Sequence, residues 1–340
     1  MFAVSDFDYE FPPDLIAQHP QGERDHSRLL HLDRVSGAVT HRGFREFPGL
    51  LRPDDVLVLN ASRVLKARLR GTRENGREAE VLLVRPDSDD TWVAMVHPGG
   101  KLKRGRTVTF GNQGQLEIVE VLGGGLRRAR LTGMTWAELM ARFGAVPLPP
   151  YIHRDPTDDD AVRYQTVYGH VDGSVAAPTA GLHFTPELLE SITASGVRVV
   201  EVLLHVGPGT FKPVVVEDVS RHVMHAEWYS VPRATADVVN DARRSGKRVW
   251  AVGTTVARVL ETVASDGAVR AADGWTKLFI RPPFEFCIVD GLLTNFHLPK
   301  STLLMLACAF GGFDHVMNAY GEAVSQRYRL YSYGDAMAIA

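Results

Sequence analysis

The feature that most limits the fold of this chain is a change of rhythm near residue 61. From Val64 to Leu131, apolar and polar residues alternate in short segments: 66–70, 78–84, 91–97, 106–110, 115–122 and 126–131. Turn-forming clusters divide them, among them Glu74-Asn75-Gly76, Asp87–Asp90 and Gly123-Gly124-Gly125. Such alternation places every second side chain on one face, the pattern of a half-buried strand. No helical stripe intervenes before Trp136–Phe143. Short strands at roughly even spacing predict a small antiparallel β-barrel or sandwich over about 62–149, closed by the stiff Pro147-Leu148-Pro149-Pro150.

The flanks read differently. Asp14–Ala17 follows Pro12-Pro13 as a helical turn, and 28–33 and 38–42 bracket a Ser36-Gly37 hairpin turn. Val56-Leu57-Val58-Leu59 is continuously apolar, as a strand covered on both faces must be. Beyond 150, Thr185 caps a helix that starts at Pro186 and stops at Gly196, and Val197–Leu204 is an apolar strand. A helix over about 233–245, a strand Val249–Val252 and a helix from Thr255 follow. Strands alternating with helices predict an α/β body, a mixed sheet with helices built from 1–61 plus 150–340, with the β domain inserted.

Composition excludes several classes. With 45% hydrophobic and 23% charged residues the 340-residue chain is neither disordered nor fibrous. Its 38 Lys and Arg against 40 Asp and Glu give a net charge of −2. The charge is unevenly placed: residues 62–149 hold 15 basic and 9 acidic side chains, a local +6 that leaves −8 elsewhere. A basic lobe attracts phosphate whatever the total charge. Cys287 and Cys308 both sit in apolar stretches and read as buried, reduced thiols, too few for a cysteine-rich zinc site. The acidic opening segment 1–8 lacks the blocks of a signal peptide, and the apolar run Leu303–Phe313 is shorter than the roughly 20 residues of a membrane span, so a cytoplasmic protein is expected.

Several strings can carry chemistry. His97–Arg106 packs Lys101, Lys103, Arg104 and Arg106 into a glycine-rich loop without an acid, suited to phosphate. Ser174–Phe184 is rich in small residues and leads into a helix, with His183 beside it. Gly207-Pro208-Gly209 ends a predicted strand, where ligands collect in α/β sheets, although Lys212 stands in place of the third glycine of a dinucleotide fingerprint. Gly253-Thr254-Thr255 opens a helix in the same manner, with Arg258 on its adjoining face. In His222–Glu227, a strand would set His225 and Glu227 on one face and His222 on the other, which suits acid–base work better than a metal. Asn295 and His297 precede a helix capped by Ser301, and Arg327–Asp335 interleaves cations with aromatics that can stack a base.

The strings Pro147–Ile152, Tyr164–Tyr168, Val175–Phe184, Leu204–Phe211, His222–Glu227, Val252–Glu261, Val289–Leu304 and Arg327–Met337 closely resemble those of the S-adenosylmethionine:tRNA ribosyltransferase-isomerase family, and the resemblance runs from Val4 to Ala338. It implies an α/β body carrying an inserted β-barrel. It also implies transfer and isomerisation of the ribosyl part of S-adenosylmethionine onto the 7-aminomethyl-7-deazaguanine at the wobble position of tRNA, giving epoxyqueuosine-tRNA, adenine and methionine. S-adenosylmethionine is then a co-substrate, no prosthetic group or metal is expected, and a monomer is expected. On this reading His183, His225, Glu227 and Asp335 are the candidates for proton transfer. Gly207, Gly209, Gly253, Thr254 and Thr255 are assigned to S-adenosylmethionine, and Arg63, Arg68, Lys101, Lys103 and Arg104 to tRNA phosphates. The chain departs from the family pattern at Ala61-Ser62, Val256-Ala257 and Arg281-Pro282-Pro283, and Ala61 and Val256 each remove a polar side chain. Two rival readings stand beside it: a non-catalytic RNA-binding protein with a vestigial nucleoside pocket, and a methyltransferase, whose acidic-GxGxG turn is not found.

Overall fold

The computed structural model describes residues 2–211, 214 and 216–340 of the chain; Lys212 lies outside them. Among the described residues, nine strands form one mixed sheet. Its order is Ala272–Thr276, Glu227–Val231, Arg198–Leu204, Val56–Asn60, Val249–Val252, Gly291–Asn295, Ala336–Ile339, Arg28–Leu32, Val39–Gly43. The four strands from Arg198–Leu204 to Gly291–Asn295 run parallel to one another, and antiparallel partners close both sides.

Apolar residues on both faces of these strands explain their unbroken hydrophobic runs. Val56, Val58, Val249, Ala251 and Leu292 belong to one buried cluster, and Leu57, Leu59, Trp250, Val252 and Leu293 to the other. The first cluster takes in residues of the helices Arg233–Arg244, Thr254–Val263, Thr302–Gly311 and Phe313–Ser325; the second takes in residues of the turn Phe44–Leu50 and the helix Pro186–Ala194. Helix starts follow their capping residues: Thr185 accepts from the Leu188 amide and Ser301 from the Leu304 amide, as their positions predict.

A second sheet is the inserted β-barrel. The strands Arg68–Arg73, Glu78–Pro86, Thr91–His97, Leu126–Thr132, Gly114–Gly123 and Thr107–Phe110 pair antiparallel in that order, and Thr107–Phe110 pairs back onto Arg68–Arg73. Closure removes free strand edges, which a small isolated sheet would otherwise expose. Helix Trp136–Phe143 packs Leu139 into the barrel core and starts with a reciprocal box between Thr135 and Glu138. The first barrel strand begins later than its alternation suggests, because Leu65–Ala67 turns tightly with Ala67 N–H donating to the Leu65 carbonyl at 2.7 Å.

Three expectations need correction. Cys287 is exposed, since its segment runs outside regular structure, whereas Cys308 is buried in the helix Thr302–Gly311. Tyr328, Tyr331 and Tyr333 are buried, so the aromatic run near the C-terminus is core rather than a stacking surface. His222–Ala226 lies before the strand, which starts at Glu227, so the strand alternation does not govern His225. Among the described residues no helix is long and apolar enough to cross a membrane.

Candidate active site

The parallel strands deliver their C-terminal ends to one side of the sheet. The chain passes from Arg198–Leu204 to Val249–Val252 across the intervening Val56–Asn60, and such a crossover leaves a crevice beyond the strand ends. Asn60, the turn after Leu204, and the Gly253–Thr255 turn meet there. The Asn60 carboxamide bridges them: its Oδ1 accepts from the Leu204 and Ser62 amides, and its Nδ2 donates to the Leu204 carbonyl at 3.0 Å and reaches Thr255 Oγ1 at 3.5 Å.

A cleft of about 430 Å³ opens beside this junction, between body and barrel. The body contributes Gly207, Pro208, Gly209, His225, Glu227 and Trp275; the barrel contributes Arg85, Val93, Met95, Gly124 and Leu126 among others. Its size falls in the range of small-molecule sites. At Gly209 a Cβ would lie 2.6 Å from the His225 ring, so only glycine lets the turn approach that imidazole.

Glu227 is buried and doubly held. Its Oε1 accepts from the Gly207 amide at 2.9 Å, and its other oxygen pairs with Arg258, which is itself buried in the helix Thr254–Val263. Arg258 Nε donates to the Leu278 carbonyl at 3.2 Å, and its Nη2 has no partner among the described residues. A buried guanidinium with a spare donor, next to a fixed carboxylate, can receive a ligand oxygen on one side and hold a cationic group near the other. Gly253 sits in the left-handed region at φ 93°, a conformation that glycine adopts without strain, directly before the Thr254–Thr255 helix start. Thr254 is buried and Thr255 is half-buried.

His183 occupies different ground. Its ring is buried between Ser27, 2.7 Å from Nδ1, and Asn295, 3.2 Å from Nε2, in a small pocket with Arg24, Arg163, Ser332 and Tyr333. Burial, with Arg24 and Arg329 adding to it, pushes the imidazole down to about 3, so it stays neutral near pH 7. Burial likewise pushes His297 down to about 3; its Nε2 lies 2.6 Å from Thr294 Oγ1. Asp335 is buried and accepts from the Arg28 and Arg329 amides at 2.8 Å each and from Arg28 Nε at 3.3 Å. The four proton-transfer candidates therefore fall in two places, His225 and Glu227 at the cleft, His183 and Asp335 beyond it.

On the barrel, Lys101, Lys103 and Arg104 are exposed and enter no ion pair among the described residues. Lys101 lines a hollow of about 190 Å³ with Arg73 and Arg106. Arg63 and Arg68 are engaged, by Asp172 at 3.9 Å and Glu80 at 3.5 Å. No group of three or more His, Cys, Asp or Glu side chains in the described residues is arranged to hold a metal ion.

The model of a family described as queuosine biosynthesis protein matches residues 4–339. The chain belongs to that family. Among relatives of the queuosine biosynthesis family, the S-adenosylmethionine:tRNA ribosyltransferase-isomerase of Moorella thermoacetica is 49% identical, and that of Desulfitobacterium hafniense 50%, each over 99% of both chains. A crystal structure of S-adenosylmethionine tRNA ribosyltransferase from Thermotoga maritima is similar with a TM-score of 0.58 and 39% identity, covering 99% of this chain and 100% of that one. Against this family's sequence signals, Arg258 stood beside the motifs but was not counted among the site residues, and Trp275 and Arg85 carried no signal. The place of Trp275 and Arg85 at the cleft depends on how the barrel sits against the sheet edge.

Proposed function

We propose that this chain transfers and isomerises the ribosyl moiety of S-adenosylmethionine onto the 7-aminomethyl-7-deazaguanine at the wobble position of tRNA, releasing adenine and methionine and leaving epoxyqueuosine-tRNA. The observation that carries the reading is end-to-end likeness, at about half of all positions, to proteins bearing that enzyme's name. The cleft between barrel and body supports it chemically.

The sulfonium centre acidifies the neighbouring ribose methylene, so a base at the cleft can remove a proton from it. His225 is exposed at the cleft and takes the part of that base, and Glu227, fixed by Arg258 and the Gly207 amide, is the carboxylate that faces a cationic co-substrate. The turns at Gly207–Gly209 and Gly253–Thr255 offer backbone and hydroxyl groups to the nucleoside. His183 and Asp335 stand apart from this cleft, His183 as a neutral hydrogen-bonding ring between Ser27 and Asn295. Apolar barrel residues Val93, Met95 and Leu126 exclude water that would hydrolyse the opened sugar.

The barrel, residues 62–149, is the lobe that holds tRNA, with Lys101, Lys103, Arg104, Arg63 and Arg68 toward phosphates; residues 1–61 and 150–340 form the catalytic body. The protein acts as a cytoplasmic monomer. Incubating it with S-adenosylmethionine and tRNA carrying the deazaguanine precursor should release adenine and yield a wobble nucleoside heavier by the transferred cyclic group. Saturable tRNA binding with neither product would instead indicate an RNA-binding protein, and S-adenosylhomocysteine a methyltransferase.

A further inference from the structure

Trp275 is 53% exposed, an unusual position for the largest apolar side chain. It lies on the strand Ala272–Thr276 at the outer edge of the nine-stranded sheet, one residue before Thr276, which pairs in register with Glu227. The indole lines the same cleft as His225 and Glu227 and is half open to solvent, so it stands at the rim. Across the cleft the barrel supplies Arg85, whose guanidinium carbon is 5.3 Å from the indole centroid, within cation–π range. Arg85 is steadied by Asp87 at 3.5 Å and by the Pro86 carbonyl at 3.3 Å. The glycine turn 123–125 of the barrel also borders this opening through Gly124, around which no atom would meet an added Cβ within 4 Å.

We propose that Trp275, with Arg85 over it, is a stacking platform for an unpaired nucleobase of the substrate RNA at the mouth of the cleft; this rests on the functional reading above. Three observations select a polymer's base over the nucleoside of the co-substrate. A rim position with half the indole in water suits a ligand whose backbone stays outside, whereas a reactive sugar has to be shielded. The cation comes from the barrel, the lobe with the local +6 charge, so the same surface that attracts phosphate presents the platform. The bare glycine turn leaves room at the mouth for a ribose-phosphate chain. Aromatic and guanidinium planes are the partners that splayed RNA bases take, and loss of one aromatic platform ordinarily weakens binding by about tenfold or more.

The test compares the parent with Trp275→Ala, Trp275→Phe and Arg85→Ala, measuring the Kd for tRNA and, separately, for S-adenosylmethionine. Trp275→Ala is expected to raise the tRNA Kd about tenfold and Arg85→Ala severalfold. Trp275→Phe, which keeps a ring, should stay within about threefold, and the Kd for S-adenosylmethionine should move less than twofold. The side chain is half exposed, so its removal leaves the cores intact, and unchanged thermal unfolding verifies this for each variant. The proposal is overturned if Trp275→Ala binds tRNA like the parent, if it weakens S-adenosylmethionine by as much as tRNA, or if the parent binds no tRNA. Adenine release by the parent is scored independently: tRNA binding that depends on Trp275 without adenine release sinks the enzyme reading and leaves the platform standing.

Discussion

Arg258 and Glu227 form an ion pair in which both side chains are almost wholly buried, and the second carboxylate oxygen is occupied by the Gly207 amide. Such a pair resists removal of one partner far more than removal of both, because a lone buried charge keeps its desolvation cost without its attraction. Arg258→Met should cost about 3–5 kcal/mol of stability in urea unfolding, and adding Glu227→Gln should restore more than half of it. Glu227→Gln alone should lower kcat by about 100-fold or more with the Kd for tRNA retained, the scale at which loss of a fixed charge is felt in catalysis. Equal instability of the single and double variants would show that the pair is not coupled. His297 gives a pH signature of its own. Folded, it takes a proton only near pH 3, whereas the unfolded imidazole does so near 6.5, so its contribution is complete above pH 6.5 and lost as the pH falls. At pH 5 that loss is about 2 kcal/mol. His297→Gln preserves a polar group for Thr294 but cannot titrate. The stability difference between pH 7 and pH 5 should therefore shrink by about 2 kcal/mol in this variant, and an unchanged difference would overturn the assignment.

At the scale of elements, what could be read in advance depended on how local the cause was. The caps Thr185 and Ser301 act within three residues, so the helices they start were legible. The barrel strands were legible because alternation is local as well, and so were the turns at Gly207–Gly209 and Gly253–Thr255. The His222–Glu227 string was not, since only Glu227 belongs to the strand and the residues before it lie outside it. The burial of Tyr328, Tyr331 and Tyr333 depends on packing against remote segments: Tyr333 donates to Asp160 at 2.6 Å, a carboxylate also clamped by Arg154. The segment 281–290 shows the same limit. It has no regular structure of its own, and Glu261 in the helix Thr254–Val263 accepts from the amides of Cys287, Ile288 and Val289 at 2.9, 3.0 and 3.1 Å. Replacing that acceptor set with an amide leaves buried N–H groups short of partners. Glu261→Gln should destabilise the protein by about 2–3 kcal/mol and speed hydrogen exchange at 287–289 ahead of the barrel strands. Uniform acceleration across both sheets would contradict a local tie.

For the whole molecule the governing fact is that the chain's positive charge is gathered on the barrel while the body carries the deficit. Its usefulness depends on which cations are free. Arg63 and Arg68 face Asp172 and Glu80, and Arg128 and Arg130 also face acidic partners, so each must give up a carboxylate to take a phosphate. Lys101, Lys103 and Arg104 carry no such cost. They are exposed on the loop between Thr91–His97 and Thr107–Phe110, and their charge is screened by salt alone. Each phosphate neutralised releases condensed counterions, lowering the logarithm of the binding constant by about 0.7–0.9 for every tenfold rise in salt. Replacing all three with glutamine should therefore flatten the salt dependence of tRNA binding by about 2 logarithmic units per tenfold change in salt. Because these side chains touch no core, the urea midpoint should stay where it is. Arg63→Gln and Arg68→Gln should flatten the slope less than any two of the loop residues, since arginines already held by Asp172 and Glu80 neutralise fewer phosphates to begin with. A slope that survives the triple replacement would move the RNA path off this loop, and the paired arginines would then be the cations to test.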